Sequence, residues 1–383
     1  LFFARRLWGM KLLTLSDFFR DRFGPRAETL SAIVMIPGYF GWIAVQFLAV
    51  AGILELFFGL PVVYGVLIVA VAGTGYTLLG GMWAVTVTDA VQLVILLFGL
   101  VALGVAVLLS MGQPSVLLAQ VGSRADPGYL AAIPTESARE LLGWMSLLAI
   151  GVLGNLPGQD LTQRIFSTKS AKVAQQACIA AGITYIVFGA IPVFLGLVAG
   201  TALPVPDGQS VIVYLASTLL SPTMALIVVV ALTSAVMSTI DSAILAPASV
   251  MAQNLLARAR PDADRLRLNR FAVLFVALAS LAVAYVGESA FSLLEAAYEI
   301  GLMGLFVPLA MGLYREPRSE TPALATMGLG AFAWLVHLVL GWEHFLGPLG
   351  SAIGFEVPAS LPVLVIEVVL YAALDRPRRS VAV

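Results

Sequence analysis

Ten runs of apolar residues, each read as able to cross a lipid bilayer, follow one another along this chain of 383 residues. They lie at about Thr29–Phe58, Val62–Gly80, Val85–Met111, Glu140–Gly158, Lys172–Gly200, Thr223–Leu256, Asn269–Val286, Ala290–Tyr314, Thr321–Leu340 and Ala359–Leu374. A span needs ~20 mostly apolar residues. Inside lipid every backbone N–H and C=O must find a partner within the protein, and runs of this length achieve that as α-helices. The sequence therefore predicts an all-α polytopic membrane protein of about ten transmembrane helices. Composition agrees, with 60% of residues hydrophobic and only 11% charged, against roughly 25% charged in soluble domains.

The basic residues test the count of spans, because Lys and Arg concentrate on the cytoplasmic side. With the N-terminal stretch in the cytoplasm, the same side receives Arg5, Arg6, Lys11, Arg20, Arg22 and Arg26, then Arg164, Lys169 and Lys172. It also receives Arg258, Arg260, Arg265, Arg267, Arg270, Arg315, Arg318, Arg376, Arg378 and Arg379. Only Arg124 and Arg139 fall on the other side. Both ends of the chain are thus expected in the cytoplasm, with the protein in the inner or plasma membrane. Leu1–Gly24 reads as a basic amphipathic lead-in and not as a signal peptide. The connections Gly112–Arg139 and Thr201–Pro222, rich in Pro, Gly, Ser and Asp, are expected outside.

Other classes are excluded by composition. A net charge of −1 gives no electrostatic basis for a nucleic-acid partner. The single cysteine, Cys178, allows neither an internal disulfide nor a cysteine-rich metal site. The two histidines, His337 and His344, are too few for a zinc or haem constellation. No constellation of catalytic side chains stands out, so an enzyme is not expected, and no obligate protein partner is evident.

The sixth run carries the chemistry. Ala235, Ser238, Thr239 and Ser242 fall at i, i+3, i+4 and i+7, one face of a helix, with Asp241 beside them. An aspartate at the centre of a membrane helix costs ~2.5–3.5 kcal/mol on insertion scales, and intramembrane ionisable residues mark functional sites. Hard cations prefer oxygen ligands, and this face offers several. A single hydroxyl of this kind would be read as bonding the carbonyl a turn back; a carboxylate among three hydroxyls points instead to a cation-coupled transporter.

Three further motifs are candidates. Gly80 and Gly81 permit a tight turn, and Asp89 follows about one turn into the next span. It is either a helix N-terminal carboxylate favoured by the macrodipole or a partner for a cation held near Asp241 and Ser242. In the fourth run Gly151, Gly154, Asn155, Pro157 and Gly158 interrupt an apolar helix, as in the discontinuous helices that line transporter solute sites. Gln159, Asp160, Gln163 and Arg164 are placed at its cytoplasmic end. In the eighth run Glu295 and Glu299 stand at i, i+4, where like charges repel; they either stay wet near a loop or join the solute site. Glu55, His337 and Glu367 are isolated and read as interfacial or lipid-edge residues.

Four stretches carry a family resemblance: LTLSDFFRDRFG at 13–24, GGMWAVTVTDAVQ at 80–92, GQDLTQRIFSTKSAKVAQ at 158–175 and ALTSAVMSTIDSAIL at 231–245. In this order and spacing they resemble the sodium/solute symporter family, from about Leu13 to Tyr314. The resemblance implies a LeuT-type inverted-repeat fold in which the first run is the third core helix and the sixth is the eighth. The family's first two core helices have no counterpart, so an N-terminally truncated symporter is expected. The implied divisions are a cytoplasmic lead-in at 1–28, a symporter core at 29–314, and two accessory helices with a basic tail at 315–383.

The resemblance also implies a main sodium site at the Ala235 carbonyl and the hydroxyls of Ser238 and Thr239. A second ion site would fall on Asp89 and Ser242, with Asp241 where the family often has serine. That aspartate either strengthens the second site, for sodium or a proton, or is a buried structural acid. The solute would lie against Gly151, Gly154 and Asn155, with Glu295 and Glu299. The expected activity is sodium-coupled symport of a small solute by alternating access. The competing expectation is a symporter-like sensor or scaffold without transport.

Overall fold

The apolar runs form helices, as a surround without water requires. In the computed structural model the described residues are 2–124, 131–134, 136–202, 210–286 and 289–375. In chain order the helices are α1 (Ala4–Gly9), α2 (Leu15–Arg22), α3 (Pro25–Phe58), α4 (Val62–Met111), α5 (Pro114–Arg124), α6 (Ala138–Ala149), α7 (Gln159–Phe166), α8 (Ala171–Ala202) and α9 (Val211–Leu219). They continue as α10 (Pro222–Val250), α11 (Ala257–Ala259), α12 (Arg265–Val286), α13 (Ala290–Gly301), α14 (Val307–Tyr314), α15 (Thr321–Leu340), α16 (Pro348–Ala352) and α17 (Ser360–Leu374). Wider π turns interrupt three of the membrane runs, at Ile150–Gly154, Met251–Leu256 and Leu302–Phe306, and such turns often sit at functional sites.

Among the described residues nine stretches are long and apolar enough to span. They match the first nine runs of the sequence. The tenth run is helical as α17 but has only 15 residues, which at ~1.5 Å per residue falls short of a ~30 Å hydrocarbon core. The 50 residues of α4 would form a straight rod of ~75 Å. They do not, because Gly81 breaks the helix at φ 56°, ψ −169°, a left-handed conformation that glycine adopts without a Cβ clash. Two spans, Val62–Trp83 and Val85–Ser110, result. The expected outer connections contain α5 and α9. Residues 125–130, 135 and 203–209 of those connections lie outside the described residues, as do Arg376, Arg378 and Arg379.

The chain divides into two compact units. The first comprises Leu1–Val45, Ile133–Gln175 and Ala243–Val383. Its lead-in is tied down by polar contacts. Thr14 caps α2 through a reciprocal box with Asp17: the Asp17 N–H donates to the Thr14 hydroxyl, and the Thr14 N–H to the Asp17 carboxylate. The Thr14 hydroxyl donates to Asn254 Oδ1 at 2.8 Å. The Asn254 amide then donates to both Asp17 and Glu28, at 2.9 Å each. Arg258 donates to Glu28 at 2.7 Å and Arg20 pairs with Asp17 at 3.2 Å. Burial works against the Arg20 charge, yet Asp17, Asp21 and Glu28 outweigh it and hold the guanidinium above its ordinary value. The Leu15 N–H donates to the fully buried Gln159 side chain at 2.7 Å, and the Trp8 indole to the Thr168 carbonyl at 2.8 Å.

Farther along this unit, α13 and α14 with their π turn are the most enclosed span, 61% buried. The Trp334 indole of α15 donates to the Ala296 carbonyl at 2.9 Å, and Met303, Ala359 and Val363 form a buried cluster beside it. Here one expectation fails. Glu367, read as a lipid-edge residue, is fully buried on α17. The reason is local: α17 packs on α15 at Gly330, which has no side chain to keep the glutamate out. Glu55 is exposed, and the half-buried His337 ring bonds the carbonyls of Ala333 and His344.

The second unit comprises Gln46–Ala132 and Gln176–Ser242. Its core is Leu103 and Val107 of α4, Leu195 of α8, Leu215 and Ala216 of α9, and Val228 of α10. The α8 span is only 6% buried, and Ile183, Tyr185, Ile186 and Val193 stand exposed on it. Such a helix is stable only against an apolar solvent, so this surface is where lipid completes the fold.

Candidate functional site

In the second unit, α10 and the two halves of α4 build an oxygen-rich wall. The Ser238 hydroxyl donates to Asp89 Oδ1 at 2.5 Å, a short charge-assisted bond. Asp89 and Ser238 are 149 residues apart in sequence, and their meeting joins the motif after the double glycine to the hydroxyl stripe. One turn on, Asp241 is almost wholly buried at 1% exposure. It faces Asp89 and Thr77, and its Oδ1 has no hydrogen-bond partner. Thr77 donates its own hydroxyl to the Gly73 carbonyl at 2.9 Å. The approach of these helices depends on Gly73, where a Cβ would come within 2.6 Å of Ile240. Ser242 is buried beside Asp241.

Thr239 donates to the Ala235 carbonyl at 3.1 Å. This is the ordinary back-bond of a helical threonine. It leaves acceptor lone pairs on both oxygens, because a hydroxyl donates one hydrogen and accepts twice, and a carbonyl has two lone pairs. Ala235, Ser238 and Thr239 are half-buried, so their oxygens remain reachable. The wall thus presents one backbone carbonyl, several hydroxyls and two carboxylates, the donor set that suits a hard cation. Among the described residues no group of three or more His, Cys, Asp or Glu side chains forms a site of the transition-metal type.

In the first unit a cleft opens where the fourth run breaks. Gly154 ends the π turn that begins at Ile150, and Gly301 ends α13. A Cβ on Gly154 would overlap the Tyr298 carbonyl, and one on Gly301 would overlap the Gly154 carbonyl, so the two backbones touch only because both residues are glycine. Beside this contact lie Tyr39, Trp42, Asn155, Asp160 and Tyr298. The rings of Tyr39 and Trp42 are 5.7 Å apart and those of Trp42 and Tyr298 6.1 Å. The Tyr39 hydroxyl donates to Asp160 Oδ1 at 2.7 Å and accepts from the Asp160 N–H at 3.2 Å. Aromatic faces beside a carboxylate favour a positively charged guest.

Of the residues expected at a solute site, Gly154 and Asn155 line this cleft. Gly151 is exposed and away from it, and Glu295 and Glu299 are half-buried neighbours on α13 that do not line it. Tyr39 and Trp42 were not singled out in sequence, although their i, i+3 spacing among Gly38 and Gly41 is a usable signal. Asp160, expected at the cytoplasmic helix end and its gate, stands in the first turn of α7 and also lines the cleft.

The model of the sodium:solute symporter family matches residues 1–330, and the chain belongs to that family. A high-affinity choline transporter of Caenorhabditis elegans is 27% identical over 344 residues, covering 84% of this chain and 58% of the relative. The human high affinity choline transporter is 25% identical, covering 87% of this chain and 60% of the relative. This chain therefore spans about three fifths of the length of these choline transporters. The high-affinity proline transporter of Bacillus subtilis is 25% identical, covering 87% of this chain and 72% of the relative. A substrate-bound, outward-open Na+-coupled sialic acid symporter superposes with a TM-score of 0.73 at 18% identity, over 98% of this chain and 80% of that one. The protein is thus a multi-pass helical membrane protein with the fold of a Na+-coupled symporter.

Proposed function

We propose that this chain carries the ion and solute sites of a sodium-driven symporter for a small solute bearing a positive nitrogen. The observation that carries the reading is the Ser238–Asp89 contact at 2.5 Å, beside Asp241 and the Thr239–Ala235 pair. Sodium would be held by the Ala235 carbonyl with the Ser238 and Thr239 hydroxyls. Asp89, Asp241 and Ser242 would hold a second sodium or a proton. The membrane potential contributes ~2.3 kcal/mol per charge per 100 mV toward uptake. The solute would rest on Trp42, Tyr39 and Tyr298 with Gly154 and Asn155 at its edge, and Gly151, Glu295 and Glu299 would act from outside that contact.

The choice of a cationic or amino-bearing solute is supported by the aromatic cleft with its Asp160 and by the names of the choline and proline relatives. The proposed organisation is a lead-in at 1–28, a symporter core at 29–314 and an accessory region at 315–383, in the inner or plasma membrane with both ends cytoplasmic. The partners are the solute and the bilayer.

The test is uptake of labelled choline, proline and pantothenate into proteoliposomes under an imposed sodium gradient, then under a proton gradient alone. Sodium-driven accumulation of a solute with a positive nitrogen is expected. Ser238→Ala and Thr239→Ala should each raise the sodium concentration for half-activation. Accumulation driven by protons alone, or wild-type sodium dependence in both variants, overturns the assignment. Uptake restricted to pantothenate overturns the solute class only.

A further inference from the structure

The fully buried Glu367 lies outside the ion wall and the aromatic cleft, and neither of its carboxyl oxygens has a hydrogen-bond partner. Its surroundings come from α15, α14, α6 and the π turn Leu302–Phe306, all packed on α17. The titratable and charged groups on those elements are His337, Tyr314, Arg139 and Glu140, each in the first or last turn of its helix. On α17 itself Tyr371 follows one turn later, also buried and with an unpartnered hydroxyl. Arg315 and Asp375, which cap the ends of α14 and α17, act on Tyr371, and among the described residues no cation acts on the glutamate itself.

One acceptor is placed beside it. A Cβ built on Gly330 would overlap both Glu367 Oε1 and the Met303 carbonyl oxygen. The two oxygens therefore crowd the same methyl-sized volume over that glycine. In a π turn a carbonyl takes the N–H five residues on. For Met303 that residue is Pro308, which has no N–H. The Met303 oxygen thus keeps acceptor capacity to spare, and it faces an oxygen that as a carboxylate can only accept. Two acceptors crowded over one glycine, away from water, repel each other; one hydrogen between them converts the repulsion into a bond.

We propose that Glu367 is a proton-binding site in the membrane-embedded C-terminal helices, taking a proton from water onto one carboxyl oxygen and donating it to the Met303 carbonyl. The bond latches α17 to the π turn that also supplies Leu305 to the aromatic cleft, next to Tyr298 and Gly301. The proposal is independent of which ion or solute the protein carries.

The experiment is infrared spectroscopy of the protein in lipid at neutral pH, wild type against Glu367→Gln. The glutamine can still donate to the Met303 carbonyl, so this variant should unfold at the wild-type temperature. A protonated-carboxyl C=O band that shifts in D2O and is lost in Glu367→Gln is expected. If the variant removes no such band, or if sodium at constant pH abolishes the wild-type band, so that a metal cation replaces the proton, the proposal fails. A second measurement does not rely on the spectrum. Glu367→Leu should lower the unfolding temperature, and Pro308→Ala, which returns an N–H to the turn, should shrink that loss. Strictly additive effects of the two substitutions overturn the latch.

Discussion

Two pairs of acids in this protein sit in different surroundings. Asp17 and Glu28, in the first unit, are 3% and 2% exposed and bonded to Asn254, with Arg20 and Arg258 supplying the counter-charge. Asp89 and Asp241, in the second unit, face each other with only hydroxyls identified beside them, and Asp241 Oδ1 has no partner. The first arrangement is complete in itself, since each acid meets a donor and a cation. The second sets two carboxylates among hydroxyls, with one buried Asp241 oxygen unbonded, and this is the arrangement that the proposed ion site would use.

That contrast can be broken from either side. The largest effect is expected from Asn254→Leu, which removes the amide shared by Asp17 and Glu28 and leaves both acids short of a donor. A loss of about 3 kcal/mol in unfolding free energy should follow, measured by chemical unfolding in detergent; an unchanged midpoint would mean the network is ornamental. Next, Gly301→Ala drives a Cβ into the Gly154 carbonyl. Overpacking of this kind should cost about 2 kcal/mol and weaken solute binding, so a variant with wild-type solute affinity would separate the cleft from the solute. Ser238→Ala should raise the half-activating sodium concentration about tenfold, equivalent to about 1.4 kcal/mol. The smallest effect on stability, within about 1 kcal/mol, is expected for Asp241→Asn, because no counter-charge is stranded by it. A destabilisation as large as that of Asn254→Leu would place Asp241 among the structural acids instead.

The parts of this architecture that lipid dictates were legible in the sequence, and the parts that depend on which helix meets which were not. The membrane runs had to be helices, and nine of them appear as full spans among the described residues. The glycine pair before Asp89 announced a turn, and the turn is made at Gly81. The hydroxyl stripe around Ser238 was visible because polar side chains are conspicuous in an apolar run; its bond to Asp89 was not, since nothing local links residues so far apart. Tyr39 and Trp42 escaped notice because aromatic residues in a membrane helix look alike whether they meet lipid or a cleft. Glu367 was misjudged for the converse reason. A lone acid near the end of a chain resembles an edge residue until Gly330 is seen to make room for it.

The turn at Gly81 has a mechanical consequence. It joins two membrane-crossing rods with no slack between them, so neither rod can be drawn along the bilayer normal without dragging the other. Thr77 hangs on one rod and Asp89 on the other, four residues before the joint and eight after it. Any shift of either rod along that normal therefore carries Thr77 and Asp89 together, like the prongs of a fork, and lengthening the joint by a few flexible residues would uncouple them.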